Sequence, residues 1–220
     1  MNYQLLKEVL ELMEAFEADH PASGHAHLTI IDFKNWMVRN HNPVDDEVPD
    51  WEGKEKGRGL DSVISTFILH MNRYAKSYSK SAILGSEFSS QEDFIYLINL
   101  KAFGEMSKTE LIRKNVHDKP AGIQIINRLI AQGWVEQTDS STDRRKKVLK
   151  ITEEGLQTLE SQMGKIRKAS TIVSGDLSTK EKLQLIKLLT RLNDFHHQIY
   201  TQNVDTSKLL DTAYQKINSN

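Results

Sequence analysis

Residues 138–155, which read TDSSTDRRKKVLKITEEG, decide the fold of this chain. They open with a turn-forming cluster at 139–142 and continue with four cations in a row at 144–147. They close with a β-like run at 148–151 and with Thr152, which is typical of a helix N-cap because two acids follow it.

The residues just before this stretch, 133–137, also form a strand-like run. Two short strands on either side of a polar, basic tip predict a β-hairpin. A basic hairpin that follows a helix is typical of the wing of a DNA-binding domain. An ordinary solvated hairpin has the same composition, because basic runs are common on protein surfaces. The choice between these interpretations depends on the sequence upstream.

Three helix-like segments lie upstream of the hairpin, and each begins with a capping pattern. Residues 89–92 begin the first segment, which ends at Gly104. Residues 107–110 begin the second, and Asp118 begins the third, with Pro120 in its first turn. Their apolar residues recur at helical spacing: Phe94, Leu97, Ile98 and Leu100; Leu111, Ile112 and Val116; Ile123, Ile126, Leu129 and Ile130. A short helix, a tight break, a second helix and a basic hairpin predict a winged helix-turn-helix.

Residues 107–155 resemble the DNA-binding domain of the MarR family of bacterial transcriptional regulators. Residues 129–135, LIAQGWV, are similar to that family's Leu-Glu-x-x-Gly-Leu-Val. Residues 143–155 are similar to its Asp-x-Arg…Leu-Thr-x-x-Gly. With the flanking helices, the resemblance covers residues 60–203. It implies a mainly α fold with a small β-hairpin wing, in which dimerisation helices flank the winged helix-turn-helix at both ends.

The same resemblance implies a function. The chain is expected to be a ligand-responsive repressor that binds a palindromic operator in double-stranded DNA as a homodimer. The sequence alone leaves a second hypothesis open, in which the winged helix is a protein-interaction module that does not read DNA. We expect no enzyme activity and no cofactor, because the sequence shows no Gly-rich phosphate loop, no setting for an activated nucleophile and no carboxylate pair with a plausible partner.

Four regions are predicted along the chain. They are a helical extension and acidic linker at 1–59, a dimerisation helix at 60–88, the winged helix-turn-helix at 89–155, and a long connecting helix with a C-terminal dimerisation helix and a tail at 156–220. In the first region, an amphipathic helix is expected at 2–18 and a second helix beginning near Thr29. Its role does not follow from the sequence.

Charge is distributed unevenly along a nearly neutral chain, whose formal net charge is −1. Residues 101–150 carry a net charge of +5, whereas residues 1–59 carry −6. Positive charge is therefore concentrated in the winged helix-turn-helix at 89–155, which is expected to contact DNA and is called the reading head below. The absence of cysteine excludes disulfides and thiol-based sensing. With no long apolar run and no secretory pattern, a soluble cytoplasmic protein is expected.

Two apolar seams lie outside the reading head. One follows a heptad-like 4-3-4-3-4 spacing through Leu60, Ile64, Phe67, Met71, Tyr74 and Tyr78. The other runs through Leu185, Leu188, Leu189, Leu192, Phe195 and Ile199. On sequence alone, the first seam packs either within one subunit or against a partner. The resemblance implies a dimer interface through Leu60, Ile64, Phe67, Met71, Leu185, Leu189, Leu192 and Phe195.

Two groups of residues are predicted to contact DNA. On the second helix of the motif, Lys119 enters the major groove, Gln124 and Asn127 bond adenine edges, and Arg128 reaches a phosphate. The alternative is that these four form the polar face of an amphipathic helix. In the wing, the resemblance makes Arg145 the minor-groove residue. Asp143 would orient it or a neighbouring arginine, and Arg144, Lys146 and Lys147 would contact phosphates.

The remaining candidates are histidines and tyrosines. The resemblance implies a pocket for a small, often aromatic effector bordered by His70, Tyr74 and Tyr78; core packing is the alternative for each. Histidines also cluster at His20, His25 and His27 and at His196 and His197. We predict no metal site there, because no matching carboxylate or thiolate pattern accompanies them.

Overall fold

A computed structural model describes residues 3–19, 28–40, 49–140 and 146–218 of the 220-residue chain. The chain divides into two compact units, Met1–Gly59 and Leu60–Asn220. Within the described ranges, no helix is both long and apolar enough to span a membrane.

The first unit is built around a pair of helices. Its elements are α1 (Tyr3–Asp19), α2 (Ile30–Asn40) and a single 3-10 turn (Lys54–Lys56). Phe16 packs edge-on against Phe33 and Trp36, with ring centroids 5.3 and 5.5 Å apart. The Trp36 indole N–H donates to Asp19 Oδ2 at 2.8 Å. The amphipathic helices expected from the sequence therefore pair through a small aromatic cluster.

The second unit contains the remaining elements. They are α3 (Leu60–Ala82), α4 (Gln91–Phe103), α5 (Lys108–Lys114), α6 (Lys119–Ala131), β1 (Val135–Asp139), β2 (Lys147–Ile151), α7 (Glu153–Val173), α8 (Thr179–Tyr200) and α9 (Thr206–Asn218). This order matches the prediction, with two exceptions. Helix α9 occupies part of the predicted tail. Strand β1 starts two residues later than Gly133, because that glycine has φ +75° in a turn, and β1 includes Asp139, which was predicted in the turn.

The core lies where α4, α5, α6, β2 and α7 meet. Its fully buried side chains are Trp134, Tyr96, Leu97, Leu111, Ile126, Leu129, Leu149 and Leu159. These residues belong to five different elements and to the segment that joins α6 to β1. The apolar residues of α5 and α6 recur at helical spacing, so each of these helices buries one face in this core.

Side-chain caps set the helix starts in the reading head. Ser107 and Glu110 form a reciprocal capping box at α5. Asp118 accepts the Ala121 N–H at 2.8 Å and begins α6. Thr152 accepts the Gly155 N–H at 3.0 Å and begins α7, as its position in the sequence predicts.

Two glycines permit close packing around the motif. A Cβ on Gly122 would lie 2.4 Å from Ile112 Cγ1, so α5 and α6 approach at a distance that only glycine allows. A Cβ on Gly155 would lie 2.2 Å from the Trp134 carbonyl oxygen, so α7 begins against the base of the hairpin.

Candidate nucleic-acid interface

Helix α6 separates an apolar face from a polar one. Ile125, Ile126 and Leu129 are buried, whereas Gln124 and Asn127 are exposed. Lys119 is also exposed, in the first turn of the helix. The structure thus brings three of the four α6 residues predicted to contact DNA to the solvent side of the helix.

Arg128, the fourth, has an intramolecular partner. Its Nε donates to Asp93 Oδ1 at 2.9 Å, and a terminal guanidinium nitrogen also contacts that oxygen. The same nitrogen lies 3.3 Å from Ser90 Oγ. The side chain remains 35% exposed, but its charge is directed to α4 rather than to solvent. The predicted phosphate contact therefore competes with a contact made inside the protein.

Asp93 is a buried carboxylate, only 1% exposed, at the start of α4. Its second oxygen accepts the backbone N–H groups of Ser89 and Ser90 at 2.7 and 3.1 Å. The carboxylate therefore caps α4 with one oxygen and holds α6 with the other. The pairing satisfies both oxygens, as a buried charge requires.

The wing is an antiparallel hairpin whose register runs from Val135↔Ile151 to Asp139↔Lys147. Met106 extends it as an isolated bridge to Leu149. Beyond the last pair, the Ser140 N–H donates to the Lys146 carbonyl at 2.8 Å. The hairpin predicted from the sequence is thus present. The bridge from Met106 connects it to the segment between α4 and α5.

The predicted wing residues fall into two groups. Lys146 is exposed, and Lys147 lies within β2, where its Nζ is 2.6 Å from Asp139 Oδ1. Asp143, Arg144 and Arg145 lie outside the described residues, between the ends of the two strands in sequence.

The turn between α5 and α6 is held by side chains from α4. Asn99 Nδ2 donates to Asn115 Oδ1 at 2.8 Å. The Tyr96 hydroxyl is 2.9 Å from His117 Nδ1. Burial, with a further contribution from the Glu92 carboxylate, raises the pKa of the Tyr96 phenol well above its ordinary value. A phenol is protonated at neutral pH even at its ordinary pKa, so the Tyr96 hydroxyl is able to donate to His117, and the raised pKa extends this to alkaline pH.

A cleft of about 530 Å³ opens beside this turn. Cationic and apolar side chains line it, among them Arg113, Lys119, Ile199 and Leu209, together with Tyr200 at the end of α8. It lies away from the pocket that the resemblance implied on α3. There, His70 and Tyr74 have ring centroids 6.4 Å apart, and Tyr74 and Tyr78 are exposed.

Most of each predicted seam is exposed in the single chain, but the C-terminal end of the α8 seam is not. On α3 the exposed residues are Leu60, Ile64, Phe67, Met71, Tyr74 and Tyr78. On α8 the exposed seam residues are Leu185, Leu188, Leu189 and Leu192. Phe195 is half-buried and Ile199 is buried, so the exposed part of this seam ends before Phe195. His20, His25 and His27 lie outside the described residues, and no group of metal-binding side chains occurs within the described ranges.

Four residues that organise the site are not singled out by the sequence pattern: Asp93, Tyr96, His117 and Tyr200. Only Asp93 carries a usable signal, because it lies three residues after Ser90 in a capping-box spacing. The other three act through contacts between elements far apart in the chain, such as α8 and the turn before α6.

Comparisons with known proteins agree with this geometry. Residues 89–146 match the sequence profile of the MarR family. The transcriptional repressor NicR of Pseudomonas putida is 30% identical over 101 residues, a match that spans 46% of this chain and 64% of NicR. The profile match lies within the winged helix-turn-helix at 89–155.

Solved structures share the fold. A structure of Bordetella bronchiseptica BpsR, from work on regulation of its DNA binding by 6-hydroxynicotinic acid, superposes with a TM-score of 0.56 at 18% identity. The superposition covers 62% of this chain and 97% of BpsR. A mutant of E. coli MarR complexed with operator DNA gives 0.54 at 19% identity, covering 61% of this chain and 99% of MarR. The winged-helix fold predicted from the sequence is confirmed.

Proposed function

We propose that this chain, whose residues 89–146 match the profile of the MarR family, is a DNA-binding transcriptional regulator, specifically a ligand-responsive repressor. The observation that carries the proposal is the arrangement of α6 beside the hairpin. An exposed row of Lys119, Gln124 and Asn127 lies on the solvent face of α6, next in sequence to a hairpin whose strands flank a cationic tip. Recognition helix and wing are the two parts that such a domain uses to bind a duplex.

The two parts would make different contacts. Gln124 and Asn127 carry side-chain amides, which pair with adenine edges in the major groove. Arg145 would enter the minor groove, where a guanidinium responds to groove width and negative potential. Lys119, Lys146 and Lys147 would neutralise phosphates, with each contact adding about 0.9 to the salt dependence of binding. Lys147 would then exchange its Asp139 partner for a phosphate.

A homodimer completes the proposal. The seams of α3 and α8 expose large aliphatic and aromatic side chains along much of their length, more than a soluble single chain ordinarily leaves uncovered. A second copy would bury both seams and present two reading heads to a palindromic operator, with half-sites roughly 34–36 Å apart. Action on DNA in a bacterium would require the cytoplasm.

Control by a small molecule is supported by analogy. BpsR is described as regulated in its DNA binding by 6-hydroxynicotinic acid. In this chain, His70, Tyr74 and Tyr78 on α3 would contribute to an effector pocket once a second copy covers that helix. The extension at 1–59 forms a compact unit of its own.

The test is fluorescence anisotropy of the purified protein with DNA from upstream of its own gene, over a series of salt concentrations. Wild type should bind saturably and lose affinity steeply as salt rises. Arg145→Ala should bind much more weakly. Lys165→Ala, on the exposed surface of α7, removes the same charge outside the proposed interface and should bind like wild type. If wild type binds no upstream fragment, or if both variants weaken binding equally, the proposal is overturned.

A further inference from the structure

The last turn of α8 contacts the turn of the helix-turn-helix. The Tyr200 hydroxyl donates to the His117 carbonyl oxygen at 2.6 Å, across 83 residues of sequence. Ile199, next to it, is only 4% exposed, whereas most apolar residues of α8 face solvent. The end of α8 is therefore the part of this helix that is anchored to the reading head.

Helix α4 also contacts the same turn. The His117 imidazole lies between two α4 residues, with Nδ1 2.9 Å from the Tyr96 hydroxyl and Nε2 3.5 Å from Glu92 Oε2. If Tyr96 donates to Nδ1, the ring proton is on Nε2 and faces the carboxylate. His117 thus has its side chain fixed by α4 and its carbonyl fixed by α8.

The turn needs this support because its backbone is unfavourable. Val116 has φ +53°, a conformation that a β-branched residue rarely adopts. Such a conformation persists where the surrounding structure imposes it. Asp118, which caps α6, comes immediately after His117. The geometry of the turn therefore sets the first turn of α6, where Lys119 lies.

We propose that Tyr200 is a positioning residue for DNA binding, holding the helix-turn-helix turn so that the placement of α8 sets the presentation of α6. The proposal rests on the proposed function. Because α8 carries one of the seams that a second copy would bury, this contact joins the dimer helix directly to the reading head. A shift at the end of α8 would change α6 without Tyr200 touching DNA.

Tyr200→Phe tests this contact in the full-length protein, because it removes the hydroxyl and retains the ring. The matched control is Tyr214→Phe on α9, where the tyrosine is 64% exposed. Two measurements are made: amide hydrogen exchange at residues 115–119 without DNA, and the dissociation constant for upstream DNA over a salt series. Tyr200→Phe should accelerate exchange in the turn. It should also weaken DNA binding about five-fold, as expected for one lost hydrogen bond, with an unchanged salt slope.

Each outcome has a distinct meaning. Unchanged exchange in the turn, or an affinity equal to that of the control, overturns the positioning role even if thermal stability falls. A reduced salt slope also overturns it, because Tyr200 would then contact DNA itself. If wild type fails to bind DNA, the proposed function fails, and with it the role of Tyr200 in DNA binding. Faster exchange in Tyr200→Phe would then still establish the contact as a constraint on the turn.

Discussion

Arg128 and Asp93 join α6 to the start of α4: Arg128 Nε donates to an Asp93 oxygen at 2.9 Å, in a site where the carboxylate is only 1% exposed. The remaining Asp93 oxygen caps α4 through two backbone N–H groups. One buried carboxylate therefore fixes the start of one helix and the orientation of another. The same arginine occupies a position from which the sequence predicts a phosphate contact.

Replacing Arg128 separates these two roles. Arg128→Met should lower the free energy of unfolding by about 1.5–3 kcal/mol, because it removes hydrogen bonds from a buried charged group. The salt slope of DNA binding should stay unchanged. Denaturant unfolding and salt-dependent anisotropy measure the two quantities. Lys119→Met is the matched comparison and should have the opposite pair of effects. The free energy of unfolding should stay unchanged, and the salt slope of DNA binding should fall by about 0.9. A lower slope in Arg128→Met would show that Arg128 contacts a phosphate.

Gly155→Ala should destabilise the base of the wing. The added Cβ would lie 2.2 Å from the Trp134 carbonyl, a backbone atom that also accepts the Thr152 N–H at 3.0 Å and has little freedom to move. We expect a loss of about 1–3 kcal/mol, the usual range for overpacking. Gly164→Ala in the same helix has open space and should gain roughly 0.5–1 kcal/mol. Thermal unfolding of both variants checks this, and equal effects at the two sites would contradict it.

Local patterns predicted much of this fold. The caps at Ser107, Asp118 and Thr152 and the helical spacing of apolar residues are short-range signals, so they identify α4 to α7 and the hairpin. Gly122 is different, because the need for a glycine there follows from its packing against Ile112 on another helix, which the local sequence does not show. Short-range sequence patterns therefore predict the helices and strands well, but they predict the contacts between these elements poorly.

The candidate interface also combines features that the local sequence predicts with features that depend on contacts between distant residues. Lys119, Gln124 and Asn127 are exposed as the polar face of α6 requires, since helical periodicity alone determines that face. Arg128 lies on the same helix, but its role depends on Asp93, 35 residues earlier in the chain. Periodicity also missed α9, whose start is marked by the bond from the Ser207 N–H to Asp205 at 2.9 Å.

Leu189→Glu on α8 should convert the proposed dimer to monomers. Leu189 is 46% exposed in the single chain, so a charge there is tolerated by the isolated subunit but not by a seam buried against a second copy. Sedimentation equilibrium of wild type and variant over a range of concentrations measures the change. Phe103→Glu, at a 62% exposed aromatic on α4, should leave the assembly state unchanged. A monomeric wild type, or a variant as dimeric as wild type, would count against the seam as the interface.

Val116→Gly should stabilise the protein. The positive φ of 53° costs an L-residue about 1–2 kcal/mol, and glycine adopts it freely, although glycine also gains conformational freedom in the unfolded chain. Because Val116 is 52% exposed, little buried apolar surface is lost. We expect a net gain of about 1 kcal/mol, which raises the unfolding midpoint by about 2–4 °C.

Asn203→Gly, at φ +50°, should change stability much less, because asparagine tolerates this conformation. If Val116→Gly instead destabilised the protein, the turn would depend on contacts of the valine side chain rather than on the bonds that Tyr96 and Tyr200 make to His117.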